Sequence, residues 1–408
     1  MEFLPFVYLA YMFVSFYLLL LTLLLYFKNK QALFSHPKLT KEYSISIIIH
    51  TYNEEKTIVD TIKSVYNIDY SNIKEVFVVN DGSKDNTSLA VRKILNKYKN
   101  LKLIDKENSG KADSINQTLK KCTGELVVVL DADSYAFKES FKKMVGYFDD
   151  EKVGAVTAMC TPRNRSTLLE KLQVIEYKVI AFTRKLLEFI DSIYVVPGTA
   201  GMYRRKALEE IGGFDTKNIT EDIEATWHLA KNGWKIRMCL SASVTTEVPN
   251  KLKPWYRQRR RWALGGLQCI SKYKSYIFQN NMFGYFIVPF FTLGLFLGLI
   301  GMIIFLYVFG RRFLSSYLLT RYSLESSTAL LNMNNFYITP SILNYFGLIL
   351  LFLFFIFNIY VLSIMKDRIL EKQSFFNLIF YMIVYLMVYP FTLIAAMIHY
   401  ARKKNVWR

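Results

Sequence analysis

The chain has 408 residues, a formal net charge of +19 and 52% hydrophobic residues. So apolar and so basic a composition argues against a plain soluble domain, because charge and apolarity must then be segregated along the sequence. The four cysteines, Cys122, Cys160, Cys239 and Cys269, form no CxxC pair. They argue against a zinc site or a disulfide framework and read as small buried hydrophobes in a reducing compartment.

The run from Phe3 to Phe27 carries no charge. As a helix it can cross a hydrocarbon layer of roughly 30 Å. It is too long for a signal-peptide core and lacks both a preceding basic residue and a small-residue cleavage site, so it reads as a retained anchor. Three further runs are Phe283 to Phe309, Phe336 to Met365 and Phe375 to Tyr400. The polar stretch between anchor and runs, Lys28 to Asn281, is long enough for one large globular domain. The expected organisation is therefore an anchor at 1–30, a globular domain with interfacial helices at 41–270, and a membrane region at 281–408.

Within the globular stretch, "ISIIIH" (Ile45–His50), "EVFVVND" (Glu75–Asp81) and "ELVVVLDAD" (Glu125–Asp133) are short, nearly continuous apolar runs. Such runs predict buried parallel strands. Helical patterns lie at Glu54–Val65, Asn86–Tyr98 and Lys111–Lys121. The alternation predicts an α/β fold, a doubly wound Rossmann-like sheet with helices on both faces. Ligands bind such sheets beyond the carboxyl ends of the strands. Those ends carry Thr51-Tyr52-Asn53-Glu54, Asp81-Gly82-Ser83 and Asp131-Ala132-Asp133. Further on, Ser166–Ile190 reads as a long amphipathic helix and Val195–Arg205 as a turn-rich loop around Pro197, Gly198 and Gly201. Asn218–Trp234 reads as a helix with Thr220 at the N-cap and Gly233 closing it.

Basic residues set the expected orientation. Lys28, Lys30, Lys38 and Lys41 follow the first run, which puts the globular domain in the cytosol of a multi-pass protein of the cell membrane. The loop Lys366–Lys372 then lies inside, and Ala401–Arg408 falls outside unless the Pro390 region turns the last run back.

Several residues are candidates for chemistry. Asp131 and Asp133 stand two apart after five apolar residues, so both carboxylates can share a divalent cation, Mg2+ or Mn2+, that holds a diphosphate. A solvated strand end is the plain alternative. Asp81 opens an ordinary turn, or receives hydrogen bonds from a nucleotide. Lys111, after Gly110 at a helix start, is a solvated lysine or a phosphate-binding cation. Glu221 and Asp222 complement a helix dipole, or Asp222 serves as a general base. In "YRQRRRWALGG" (Tyr256–Gly266) helical spacing brings Gln258, Arg261 and Trp262 together. Those three suit a pyrophosphate and a stacked ring. Arg259 and Arg260 are left to the membrane surface or to internal packing. Nucleic acid is an unattractive partner, since a membrane run follows so closely.

Taken in order, YNE, ND-G-S, GKA, DAD, G-x-x-G, TED and QRRRW between membrane runs resemble the processive, membrane-embedded family 2 glycosyltransferases: the cellulose, chitin, hyaluronan and poly-N-acetylglucosamine synthases. The resemblance covers Tyr43 to Gly266, and "ITEDIEATWHL" and "RQRRRWALGG" look most like the poly-N-acetylglucosamine synthases. It implies a cytosolic GT-A domain that uses a UDP-sugar, UDP-N-acetylglucosamine being the best fit, and inverts at the anomeric carbon. It assigns Tyr52, Glu54, Asp81 and Lys111 to the UDP part, and Asp131 to the nucleotide. Asp133 falls to the metal and Asp222 beside Glu221 to the base role; Gln258, Arg261 and Trp262 match the QxxRW motif for diphosphate and acceptor, with Arg261 near the diphosphate and Trp262 under the acceptor sugar. The implied acceptor is a growing polysaccharide that is moved across the membrane; a non-processive transfer to a lipid-linked acceptor is the alternative. Two departures stand out. His50 precedes the YNE motif, where a structural role at a strand end is expected. Only three runs follow the domain, which leaves a smaller pore, helices supplied by a partner subunit or a second copy, or a short lipid-linked product.

Overall fold

A computed structural model describes residues 3–279, 281–325, 342–365 and 375–402. The loop Lys366–Lys372, most of the tail Ala401–Arg408 and the start of the run at Phe336 lie outside the described residues. The chain opens with α1 (Phe3–Asn29) and enters the globular region at β1 (Ile45–Thr51). There follow α2 (Ile58–Tyr66), β2 (Ile73–Asp81), α3 (Thr87–Leu95), β3 (Leu101–Lys106), α4 (Lys111–Leu119), β4 (Leu126–Asp131) and β5 (Ser134–Ala136). Next are α5 (Ser140–Val145), β6 (Val153–Pro162), α6 (Leu168–Glu188), β7 (Gly201–Arg204), α7 (Arg205–Glu210), α8 (Glu221–Lys231), β8 (Lys235–Thr246) and α9 (Leu252–Tyr273).

The strands form one sheet of order β3-β2-β1-β4-β7-β6-β8-β5. Strands β1, β2, β3 and β4 pair in parallel, as do β6 and β8. The expected parallel sheet is therefore a mixed one: β7 runs antiparallel between β4 and β6, and β5 antiparallel at the edge of β8. Strand β7 lies inside the segment expected to be a loop. It holds only four residues, and its Gly201 approaches Tyr203 so closely that a Cβ there would lie 2.7 Å from the ring.

The apolar runs alternate across the sheet. Ile47, Ile49, Val76, Val78, Val128 and Leu130 face α2 and α5, while Ile48, Phe77, Val79, Val127 and Val129 face α4, α6 and α8. Burial on both faces is why these strands lack polar alternation. Each buried aliphatic side chain contributes about 1.5–3 kcal/mol. Helix α6 begins with a capping box: Thr167 and Glu170 each receive the other's backbone N–H. Helix α8 does have Thr220 at its N-cap, yet the threonine side chain makes no capping bond; its hydroxyl donates to Asn218 Oδ1 at 3.2 Å.

Among the described residues, four helical segments are long and apolar enough to cross a membrane: Pro5–Ala32, Phe283–Glu325, Tyr345–Ile364 and Phe375–Ala401. The second keeps its helix well past the expected end at Phe309. A π-helical turn at Phe283–Ile287 leads into α10 (Val288–Glu325), whose 38 residues make about 57 Å. The third holds α11 (Ile342–Ile364). The last is interrupted: α12 (Phe375–Phe380), a π-helical turn at Tyr381–Tyr385, a 3-10 turn at Leu386–Val388 and α13 (Tyr389–Ala401). Pro390 sits in the first turn of α13, where its missing N–H costs nothing. One sheet face runs into these segments without a break. Tyr26 of α1, Phe182 of α6 and Phe357 and Val361 of α11 share a core with Phe283, Ile287 and Val288. All four cysteines are buried and free.

Candidate active site

The polar groups gather at the carboxyl ends of β1, β2 and β4, and two loops bring them there. At the end of β2, Asp81 is 1% exposed and organises the loop before α4. It receives the N–H groups of Ser109 and Gly110, each at 2.9 Å, and Lys106 Nζ at 2.9 Å. Burial alone would raise its carboxyl, but His50, the Ser109 amide and Lys106 together hold it well below the usual range. Gly82 has φ +70, and a Cβ there would lie 2.7 Å from Asn108 N, so the turn requires glycine. Any donor contact to Asp81 would compete with bonds it already makes. His50 Nε2 stands 3.6 Å from Asp81 Oδ2, beyond hydrogen-bond range.

The same loop delivers Lys111. Its Nζ lies 2.6 Å from Asp131 Oδ1 and 2.9 Å from Glu221 Oε1, so one ammonium ties β4 to the start of α8. Burial works against its charge, but Asp131, Glu221 and Asp222 outweigh burial and raise Lys111 above its ordinary value. In return Lys111, then His50 and Arg261, hold Asp131 low against its burial. Lys111 and Arg261 do the same for Glu221. The Pro197-Gly198 loop closes over this pair. Asp131 N–H donates to Gly198 O at 3.1 Å, and a Cβ on Gly198 would fall 2.5 Å from Lys111 Nζ.

Asp133 and Asp222 are set differently. Burial, and then the charges of Asp131 and Glu54, push Asp133 up to about 7. Hydroxyls of Thr246 and Ser134 donate to its Oδ1 at 3.2 and 3.3 Å. Asp222 is raised to about 6 by burial and then by Glu221, with Lys111 and Arg261 opposing. Its Oδ1 accepts the N–H of Ile223 at 2.9 Å. Glu54, bonded by Thr57 Oγ1 at 2.8 Å, is raised by burial and by nearby Asp131 and Asp85. Tyr52 is exposed at the rim.

Among the described residues no cluster of three or more His, Cys, Asp or Glu could hold a metal by itself. The donor set at Asp133 nevertheless fits Mg2+ or Mn2+. Such ions take one or two carboxylates together with substrate phosphates and waters. Asp133 has no ion pair among the described residues, and its raised carboxyl marks a charge that a cation would offset.

Helix α9 supplies the other wall. A Cβ on Gly265 would lie 1.8 Å from Thr220 Oγ1, so the helix can press on the start of α8 only with glycine there. This contact brings Arg261 into the electrostatic reach of Asp131, Glu221 and Asp222. Arg259 does not face lipid. It is 1% exposed and ion-paired to Glu176 of α6. Arg260 Nη1 lies 3.2 Å from His399 Nε2 of α13. Of the two options for these arginines, Arg259 takes internal packing.

Three features escaped the sequence reading. Thr246 comes from β8, far along the chain, and its tie to Asp133 has no local signal. Glu176 looked like any polar position of an amphipathic helix. Arg184, also on α6, is buried, its Nε has no hydrogen-bond partner among the described residues, and burial holds it below its ordinary value despite Tyr194, Cys160 and Asp222.

Residues 43–265 match the family described as glycosyltransferase like family 2. The poly-beta-1,6-N-acetyl-D-glucosamine synthase of Staphylococcus aureus (strain COL) is 34% identical over 230 residues, 56% of this chain and 56% of that protein. The synthase of the same name from Staphylococcus epidermidis is 33% identical over 231 residues, again 56% of each. The chain thus matches only about half the length of these curated relatives. The mannosyltransferase of Pyrobaculum calidifontis in complex with GDP-Man and Mn2+ has a similar fold, with a TM-score of 0.62 at 20% identity over 98% of this chain and 100% of that one. The mixed α/β sheet is of the Rossmann-like GT-A kind, flanked by apolar helices, and the chain belongs to the family 2 glycosyltransferases.

Proposed function

We propose that this chain transfers a sugar from a UDP-sugar, UDP-N-acetylglucosamine first, to the end of a growing polysaccharide and moves the product across the membrane. One observation carries the reading. Lys111 joins Asp131 at the end of β4 to Glu221 at the start of α8, and the neighbouring Asp222, raised to about 6, lies within the electrostatic reach of Arg261. The likeness to poly-beta-1,6-N-acetyl-D-glucosamine synthases supports the choice of sugar.

Tyr52, Glu54, Asp81 and Lys111 form the side for the uridine diphosphate, with Asp131 toward the nucleotide. Asp133 would hold Mg2+ or Mn2+ with the diphosphate oxygens, and the bound cation would supply charge neutralisation on the departing UDP. Arg261 adds a fixed positive charge to the same end. Gln258 and Trp262 take the acceptor sugar. Asp222 accepts the proton of the acceptor hydroxyl as its oxygen forms the bond to the anomeric carbon and the bond to UDP breaks. A single displacement inverts the centre, so an α-linked donor gives a β-linkage. Glu221 keeps Lys111 in register beside the base.

The organisation follows: an anchor at 1–30, a cytoplasmic catalytic domain at 41–270 and a multi-pass membrane region at 281–408. The test incubates purified protein in lipid nanodiscs with radiolabelled UDP-N-acetylglucosamine and Mg2+ or Mn2+. A long, glycosidase-sensitive chain is expected. An organic-extractable label would replace the polymer with a lipid acceptor, and absence of UDP release would remove the transferase reading.

A further inference from the structure

Arg259 is surrounded in a way that its place in the motif does not explain. Its guanidinium is buried in the joint between α6, α9 and the last membrane segment. Nη2 pairs with Glu176 Oε2, and Nε reaches Glu176 Oε1 at 3.2 Å and Tyr389 Oη at 2.9 Å. Tyr385 Oη donates to Glu176 Oε2 at 2.6 Å and accepts from Trp255 Nε1 at 2.7 Å. Nη2 also reaches Tyr385 Oη at 3.5 Å, and further contacts of Arg259 point to its own helix neighbours. Nη1 donates to Gln258 Oε1 at 2.5 Å, and the guanidinium carbon lies 4.1 Å from the centre of the Trp262 ring.

A planar cation can stack on an indole and donate in its own plane at once. We propose that Arg259 is a positioning residue: anchored by Glu176 and Tyr385, it clamps Gln258 and Trp262 in the orientation in which they meet the acceptor. The inference rests on the acceptor role given above to Gln258 and Trp262. Arg259 touches no substrate; it acts through its two neighbours. The burial of the group supports a role of this kind. A buried ion pair is weak support for stability, since desolvation offsets most of its Coulombic gain. An arginine placed here for packing alone would need neither the bond to Gln258 nor the stack on Trp262. Because Tyr385 and Tyr389 belong to the last membrane segment, the clamp also ties the acceptor site to the membrane region.

The test uses Arg259→Lys, which keeps the positive charge for Glu176 but loses the planar stack and the fork. Full-length protein labelled with fluorotryptophan is placed in nanodiscs, and the Trp262 resonance is assigned by its loss in Trp262→Ala. Arg259→Lys should shift or broaden that resonance, leave UDP-sugar binding unchanged and lower transfer about 10- to 100-fold, the scale of a small misplacement. In the Trp262→Ala background the same change should cost little more, because the two act as one unit. An unmoved Trp262 resonance overturns the clamp whatever the activity. So does a parallel loss of UDP-sugar binding, which marks a purely structural role, or a fully additive loss in the double variant. Wild-type protein that releases no UDP would overturn the transferase reading instead, and the resonance would still decide the clamp.

Discussion

Two groups of carboxylates share one edge of the sheet and differ in how their charge is met. Asp81, Asp131 and Glu221 are each paired with a lysine, Lys106 or Lys111, and are held below the ordinary carboxylate range. Asp133 and Asp222 make no ion pair among the described residues and are raised to about 7 and about 6. The first group is neutralised by ion pairs within the protein and fixes the shape of the loops at the edge where, on the proposed function, the UDP part binds. On the proposed function, the second keeps its charge for the cation and the acceptor proton that arrive with substrate. Perturbed carboxylates of this second kind cluster at functional sites, and here burial and neighbouring carboxylates raise them.

Each half of this comparison can be broken separately. The largest effect is expected from Asp222→Asn, which keeps the shape and removes the base. Transfer should fall by about 10²–10⁴-fold, while UDP-sugar affinity, measured by calorimetry, stays as it was. Retained transfer would take Asp222 out of the proton step. Next comes Asp133→Asn, for which transfer should fall by about 10²-fold, in keeping with the several kcal/mol a bound cation supplies. Titration with Mn2+ should also show weakened binding of the ion in the presence of UDP-sugar. A variant that binds Mn2+ as well as wild type would move the metal elsewhere. The scaffold half should respond more mildly and in a different quantity. Gly198→Ala puts a methyl 2.5 Å from Lys111 Nζ. It should cost about 1–3 kcal/mol as overpacking, seen as a lower melting temperature together with weaker UDP-sugar binding. Unchanged melting and binding would mean that the loop over Lys111 gives way freely.

The same division explains what was legible in the sequence. Strands β1, β2 and β4 stood out because both their faces are buried, and the motif residues lie at their ends. Strand β8 was not legible. Its sequence, KIRMCLSASVTT, alternates buried and half-buried positions and carries Lys235 and Arg237. Strand β7 is four residues long, opens on Gly201 shortly after Gly198, and looked like a turn. Most of the polar residues that meet at this edge could be named in advance, from the strand ends and from the motifs that hold Lys111, Glu221, Asp222 and Arg261. Their settings could not. Whether a carboxylate is paired depends on Lys106, Lys111 or Thr246 arriving from other elements, which only tertiary packing decides. Arg259 shows this most sharply: the sequence reading left it to the membrane surface or to packing, although it stands three residues before Trp262 on the same helix, and its side chain reaches both Gln258 and Trp262.

The pH dependence of kcat tests the reserved charge at Asp222 most directly. With the carboxyl raised to about 6, the base is ionised above that pH and protonated below it. At saturating UDP-N-acetylglucosamine and Mg2+, kcat for transfer should be level from neutral pH down to about 6 and then fall about tenfold for each further pH unit, as expected for a single base. A kcat that stays level to pH 5 would contradict the assignment of Asp222 as the base.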